Sequence, residues 1–194
     1  MRRLSLLALL LLTGCASDPV PDVAYYRLGD APAIAGVQPL KAPLEVQTFL
    51  ADGVYNEQAI LFVNEAAGSL RGYHYQLWGD PPVRLLQRRL IETLRASHAA
   101  PLVADRLPSE DGVLRIIGRI GHFEREKVGG AWNAKVAFEI RVEGTDGEKP
   151  LLLKEYAATQ PAADDTIPAT TRAFGEAVDR CFAQFVADLQ QLKS

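Results

Sequence analysis

The sequence is poor in the residues that most enzymes and metal proteins depend on. Its 194 residues hold two cysteines, three histidines, two tryptophans and one methionine. Two cysteines cannot by themselves hold a structural zinc or an iron–sulfur cluster. His74, His98 and His122 stand far apart, with no HExxH and no short metal-ligand spacing. There is no GxSxG elbow, no phosphate-binding lysine loop and no dinucleotide-binding glycine fingerprint. Basic residues number 21 against 24 acidic, a net charge of −3, and a nucleic-acid binder needs a basic face instead. No apolar run reaches the roughly 18–20 residues that span a bilayer. No repeat and no low-complexity tract interrupts the chain. What is present is 48% apolar, 23% charged and 8% aromatic, the composition of a domain that folds around a core.

The two cysteines divide by position. Arg2 and Arg3 precede an apolar run over residues 4–12, which ends Leu12-Thr13-Gly14-Cys15. A charged start followed by a short apolar run is the pattern of a secretory signal. The end of the run resembles the bacterial lipobox, in which the cysteine after the cut becomes lipidated. The alternatives are a plain cleaved signal with a chance cysteine, or a buried helix. The polar, proline-containing stretch 16–22 that follows suits a tether and favours the lipoprotein reading. Ala16 follows the cysteine where inner-membrane lipoproteins often carry Asp, and this favours the outer membrane. The expected organisation is a signal peptide at 1–14, a tether at 15–23 and one domain at 24–194. Loss of Arg2 and Arg3 leaves 180 residues with 19 basic against 24 acidic, a net of −5. Acyl chains rather than charge would then hold the domain at a membrane.

The domain reads as α+β. Strands are expected at 24–28, at 44–50 with Leu44, Val46, Thr48 and Leu50 inward, and as a hairpin at 59–64 and 69–78. Asp80-Pro81-Pro82 signals a helix, with Asp80 as cap and Pro81 in the first turn. Val83, Leu86, Leu90, Ile91 and Leu94 form its apolar face, and Arg84, Arg88, Arg89, Glu92 and Arg95 lie mostly elsewhere. A long hairpin spans 112–144. Its register is expected to place Arg119 opposite Glu139 and Arg115 opposite Glu143 across a three-residue loop centred on Gly129. Asp146-Gly147 turns the chain, and a strand follows at 151–158. A final helix over 166–192 puts Phe174, Val178, Cys181, Phe185, Leu189 and Leu192 on one stripe, with Glu176 and Arg180 as an i,i+4 pair. Cys181 is thus expected as a buried free thiol, and Asp164-Asp165 as negative charge before a helix N-terminus. Strand follows strand, so most pairing should be antiparallel, with both amphipathic helices covering one face.

The unusual local stretch is Tyr73-His74-Tyr75-Gln76-Leu77-Trp78. One reading is a strand with Tyr73, Tyr75 and Leu77 toward the core. The other makes Tyr73, Tyr75 and Trp78, with Pro81 and Pro82, a partner-facing surface, since Tyr and Trp are enriched in such surfaces. The order of motifs carries a resemblance. A lipobox is followed by Tyr25-Tyr26-Arg27-Leu28, then by Trp78-Gly79-Asp80-Pro81-Pro82 and an amphipathic helix. This resembles the ABC-type transport auxiliary lipoproteins, the PqiC-like family, over nearly the whole mature chain. Gly79 departs mildly from the family, which often has Ala or a similar small residue there. The resemblance implies a non-catalytic accessory at the periplasmic side of the outer membrane, attached through acyl chains on Cys15. Its implied partners are an MCE-domain protein and an ABC permease and ATPase that move lipids or other hydrophobic molecules, with self-association left open. It implies no catalytic residues, no cofactor and no metal. The competing readings are a lipoprotein that holds a lipid or small molecule in its own pocket, and an envelope hydrolase. The first would show an apolar cavity under the sheet, and the second a nucleophile and base in a cleft.

Overall fold

A computed structural model of the chain describes residues 21–64, 67–108, 112–144 and 149–192. Cys15, the signal segment and the Asp146-Gly147 turn lie outside the described residues. The strands are β1 (Ala24–Tyr26), β2 (Leu44–Val46), β3 (Ala59–Asn64), β4 (Ser69–Trp78), β5 (Val103–Ala104), β6 (Leu114–Val128), β7 (Ala131–Glu143) and β8 (Leu152–Pro161). Helix α1 (Pro82–Ala96) follows β4, and α2 (Ile167–Leu189) closes the chain. The fold is the expected α+β, one eight-stranded mixed sheet with two helices. β5 was not visible in the sequence, being two residues long.

The long pairings β3·β4, β6·β7 and β7·β8 are antiparallel. The short ones, β1·β4, β2·β5, β2·β6 and β3·β6, are parallel. β2 and β3 lie end to end along one edge of β6, so a long strand serves two short ones. The core lies between the sheet and the helices. Trp78, Phe123 and Phe174 pack with ring centroids 4.7–5.4 Å apart. Phe138 meets Phe49 at 5.9 Å and Phe182 at 5.3 Å.

The β6–β7 register shows how one expectation holds for a different reason. Arg119 faces Glu139 and Arg115 faces Glu143, as expected. The loop, however, is two residues, with Val128 opposite Ala131. Gly129 and Gly130 adopt φ of +60° and +84°, the left-handed values that a two-residue hairpin loop requires. The odd residue is absorbed by a bulge, where Gly121 falls between the Ile120↔Phe138 and His122↔Ala137 pairs. Past the bulge the parity flips, and Phe123 turns into the core at 1% exposure. Arg119 forms its ion pair with Asp52 at 3.1 Å, across a loop and not across the hairpin.

Two further strands depart from simple alternation. β2 ends at Val46; Thr48 and Leu50 are exposed and Phe49 is buried. The Phe49 ring packs against Gly118, where a Cβ would stand 2.2 Å from it, so only glycine fits there. In β4, the residue Ile60 of β3 opposes four residues, because Ala59 pairs with Leu77 and Leu61 with Gly72. The extra residues swing both Tyr73 and Trp78 inward and Tyr75 outward. Tyr73, Tyr75 and Leu77 therefore do not share a core face.

Helix α1 begins one residue later than expected, with Pro81 as the extended cap residue and Pro82 in the first turn. Asp80 caps no amide; it pairs with Arg88 at 2.9 Å. In α2 the Thr166 hydroxyl accepts from the Ala169 N–H at 3.2 Å. The Asp164 carboxylate accepts from the N–H and hydroxyl of Thr166, which hold its carboxyl below the usual range. Glu176 and Arg180 do not pair directly. Each bonds the Gln160 amide of β8, at 2.7 and 2.5 Å. Cys181 is fully buried and free, and burial pushes its thiol up to about 12.

Candidate functional site

The two motifs that suggested a family meet in space. β1 lies beside the end of β4, with Ala24, Tyr25 and Tyr26 paired to Gln76, Leu77 and Trp78. The Tyr26 hydroxyl donates to Gln76 Oε1 at 2.6 Å. The Gly79 N–H donates to the Tyr26 carbonyl at 2.7 Å, and the Trp78 N–H to the Gln58 carbonyl at 2.6 Å. A Cβ on Gly79 would sit 3.4 Å from the Tyr26 carbonyl oxygen, an ordinary contact, so the junction leaves room for the Ala that often stands at this position in the family. Sequence distance concealed the junction; parallel pairing creates it.

The proposed partner-facing residues separate on this framework. Trp78 is 1% exposed, and Pro82 is buried with it. Neither can touch a partner while the domain is folded, which corrects their place in a contact surface. Pro81 is half-buried. Tyr73 is half-buried on the inner side, against Phe62 at 4.6 Å. Tyr75 is the member of the set that faces solvent, at 38% exposure.

Tyr73 belongs instead to a buried cationic cluster. The Arg125 guanidinium lies 3.8 Å from the Trp132 ring centroid and donates to the Tyr73 hydroxyl at 3.1 Å and the Asp165 carbonyl at 3.1 Å. Burial lowers its pKa, opposed by its contacts to Tyr73 and Asp165. The stacked ring supplies part of what a carboxylate would otherwise give. This cluster closes the core beneath the N-terminus of α2.

Arg89, expected with its charged neighbours away from the apolar face of α1, is buried at 3% exposure. It forks onto both Asp179 carboxylate oxygens of α2 at 2.7–2.9 Å and donates to the Gly29 carbonyl. Burial pushes the Asp179 carboxyl up, against the pull of Arg89. The partners are 90 residues apart, and no local pattern marks them. On the opposite face of the sheet, Glu124 is 3% exposed. It accepts from the Tyr55 hydroxyl at 3.0 Å and the Phe123 N–H at 2.6 Å, with His122 Nδ1 at 2.7 Å. Burial and the Glu124 charge raise the Tyr55 hydroxyl above its ordinary value. Beside them runs a groove of about 470 Å³ whose lining contains no Ser, Thr or Cys. The chemistry available here is a strap: it holds the 3₁₀ turn at Gly53–Asn56 to β6. Among the described residues, no three His, Cys, Asp or Glu side chains gather as metal ligands. No described helix is long and apolar enough to cross a membrane.

This α+β fold is shared with solved proteins. Protein XCC0632 from Xanthomonas campestris superposes with a TM-score of 0.77 at 15% identity, over 87% of this chain and 96% of that one. The hypothetical protein CT253 from Chlamydia trachomatis gives 0.52 at 10% identity, over 79% and 98%. At such identities these likenesses define the shared fold. No curated protein matches the chain. The family model of the ABC-type transport auxiliary lipoprotein component matches residues 26–186, from within β1 to near the end of α2, and the chain belongs to that family. The family is one of transport auxiliaries and not of catalysts.

Proposed function

We propose that the chain is a non-catalytic accessory lipoprotein of an MCE/ABC-type transport system, anchored to the periplasmic face of the outer membrane. The family match over 26–186 carries this reading. The sequence has no ATP-binding motif, so a separate subunit supplies hydrolysis. The partners are an MCE-domain protein and an ABC permease and ATPase, and the cargo is a lipid or other hydrophobic molecule. The accessory role is preferred over a binder with its own pocket because aromatic side chains fill the space between sheet and helices. Acyl chains on Cys15, with Ala16 after it, place the domain at the outer membrane. The domain needs no cofactor of its own for this role.

Replacing the lipid-bearing thiol tests both halves of the reading. In cells lacking the chromosomal copy, Cys15→Ser moves the protein from the membrane pellet to the soluble periplasmic fraction. The soluble variant, although folded, fails to restore the transport phenotype that the wild-type chain restores. Membrane retention of Cys15→Ser contradicts the anchor; full complementation by the soluble form contradicts the need for it.

A further inference from the structure

β1 and β4 present two faces. Toward the core go Tyr26 and Trp78, and Trp78 meets Phe174 of α2 at 5.3 Å. Alternation therefore sends Tyr25 and its ladder partner Leu77 to the other side. Val23 directly precedes β1, and Tyr75 precedes Gln76, the first ladder partner, so continuing the same register one step would set the two opposite each other. Val23 is 46%, Tyr25 64% and Tyr75 38% exposed. These residues make one apolar and aromatic patch on the sheet face away from α2. Among the described residues these three side chains stay exposed.

Its position says what covers it. Eight residue steps separate Cys15 from Val23. Even fully extended they span no more than about 29 Å, at roughly 3.6 Å per residue. A domain of this size is about 40 Å across. The tether is thus shorter than the domain it holds, and the patch sits at its base. A chain anchored at Cys15 keeps this end of the sheet toward the bilayer. Tyrosine is the residue type that settles at headgroup depth, with its ring in the apolar boundary and its hydroxyl in water.

We infer that the Val23–Tyr25–Tyr75 patch rests on the lipid headgroup surface and fixes the orientation of the domain on the membrane. The occupant is the bilayer itself. The inference rests on lipid attachment at Cys15. Docking on this face leaves the outer side of α2 pointing away from the membrane, where a partner can reach it. The acyl chains hold the protein at the surface; the patch decides which way up it stands.

The test uses the processed lipoprotein in vesicles of phosphatidylethanolamine and phosphatidylglycerol. A nitroxide is placed through Tyr25→Cys, or through Gln184→Cys on the exposed side of α2. Cys181 is fully buried and takes no label. The expected result is a several-fold loss of collisions with a water-soluble nickel complex at position 25 relative to position 184. With the nitroxide carried at Val23→Cys, adding Tyr25→Ser and Tyr75→Ser abolishes that protection. Protein that floats with the vesicles but leaves both nitroxides equally wet overturns the patch and leaves the anchor standing. Protection that arises with protein concentration alone, without vesicles, also overturns it and assigns the patch to a second copy. Protein that fails to float overturns the anchor reading, and the inference falls with it.

Discussion

Replacing Trp78 by Ala lowers the unfolding free energy by about 3–5 kcal/mol, the cost of truncating a fully buried large aromatic side chain. The indole is 1% exposed and sits between Phe123 at 5.4 Å and Phe174 edge-on at 5.3 Å. These neighbours come from β6 and α2, so the ring joins the sheet to the last helix. They cannot close the gap without moving a strand, and the cavity persists. Urea unfolding followed by circular dichroism measures the change, with a lower midpoint and an unchanged slope. Tyr75→Ala, three positions before the W-G-D-P-P turn but exposed, stays within about 0.5 kcal/mol of wild type. A Trp78→Ala loss below about 1 kcal/mol contradicts this packing.

Arg89→Met is the second large effect. It removes the fork from Asp179 and the donor from the Gly29 carbonyl. A partly buried carboxylate left without its partner costs about 3–5 kcal/mol, and the 24% exposure of the Asp179 side chain places this site at the lower end. The double variant Arg89→Met/Asp179→Leu recovers most of the loss, since no charge is then left buried. The pH dependence has a definite sign. Burial already raises the Asp179 carboxyl, and losing Arg89 raises it further. The folded state then binds a proton more tightly than the unfolded state. The deficit of Arg89→Met therefore shrinks as pH falls through the raised pKa toward about 4, and is largest at neutral pH. A deficit that grows on acidification contradicts the pairing.

The parts of the fold legible in the sequence are those where one period runs unbroken. The α2 stripe from Phe174 through Leu189 is one, and it places Cys181 correctly. Alternation breaks where a bulge changes the parity, at Gly121 in β6 and across 73–76 in β4, and past the end of β2, where Thr48 and Leu50 are exposed. The bulge at Gly121 lets Phe123 turn inward, and the extra residues of β4 put Tyr75 outward, away from the core face that alternation gives it. Glu139 and Glu143 still gave the correct far-end register, because opposite charges there agree with the pairing whatever the loop does. The Arg89–Asp179 fork left no trace, since its members sit on separate helices with no shared local pattern. Trp78 stands out in the sequence, yet its burial comes from tertiary packing that a strand pattern does not encode. The junction of β1 with β4 explains why the two short motifs occur together: each supplies half of one ladder.

The most direct measurement of the central claim is chemical cross-linking in intact cells, followed by purification of the tagged lipoprotein from solubilised membranes and mass spectrometry of what accompanies it. The account predicts an MCE-domain protein among the cross-linked partners, with an ABC permease and ATPase in the same complex. Recovery of the intact lipoprotein from the membrane without any of these components contradicts it.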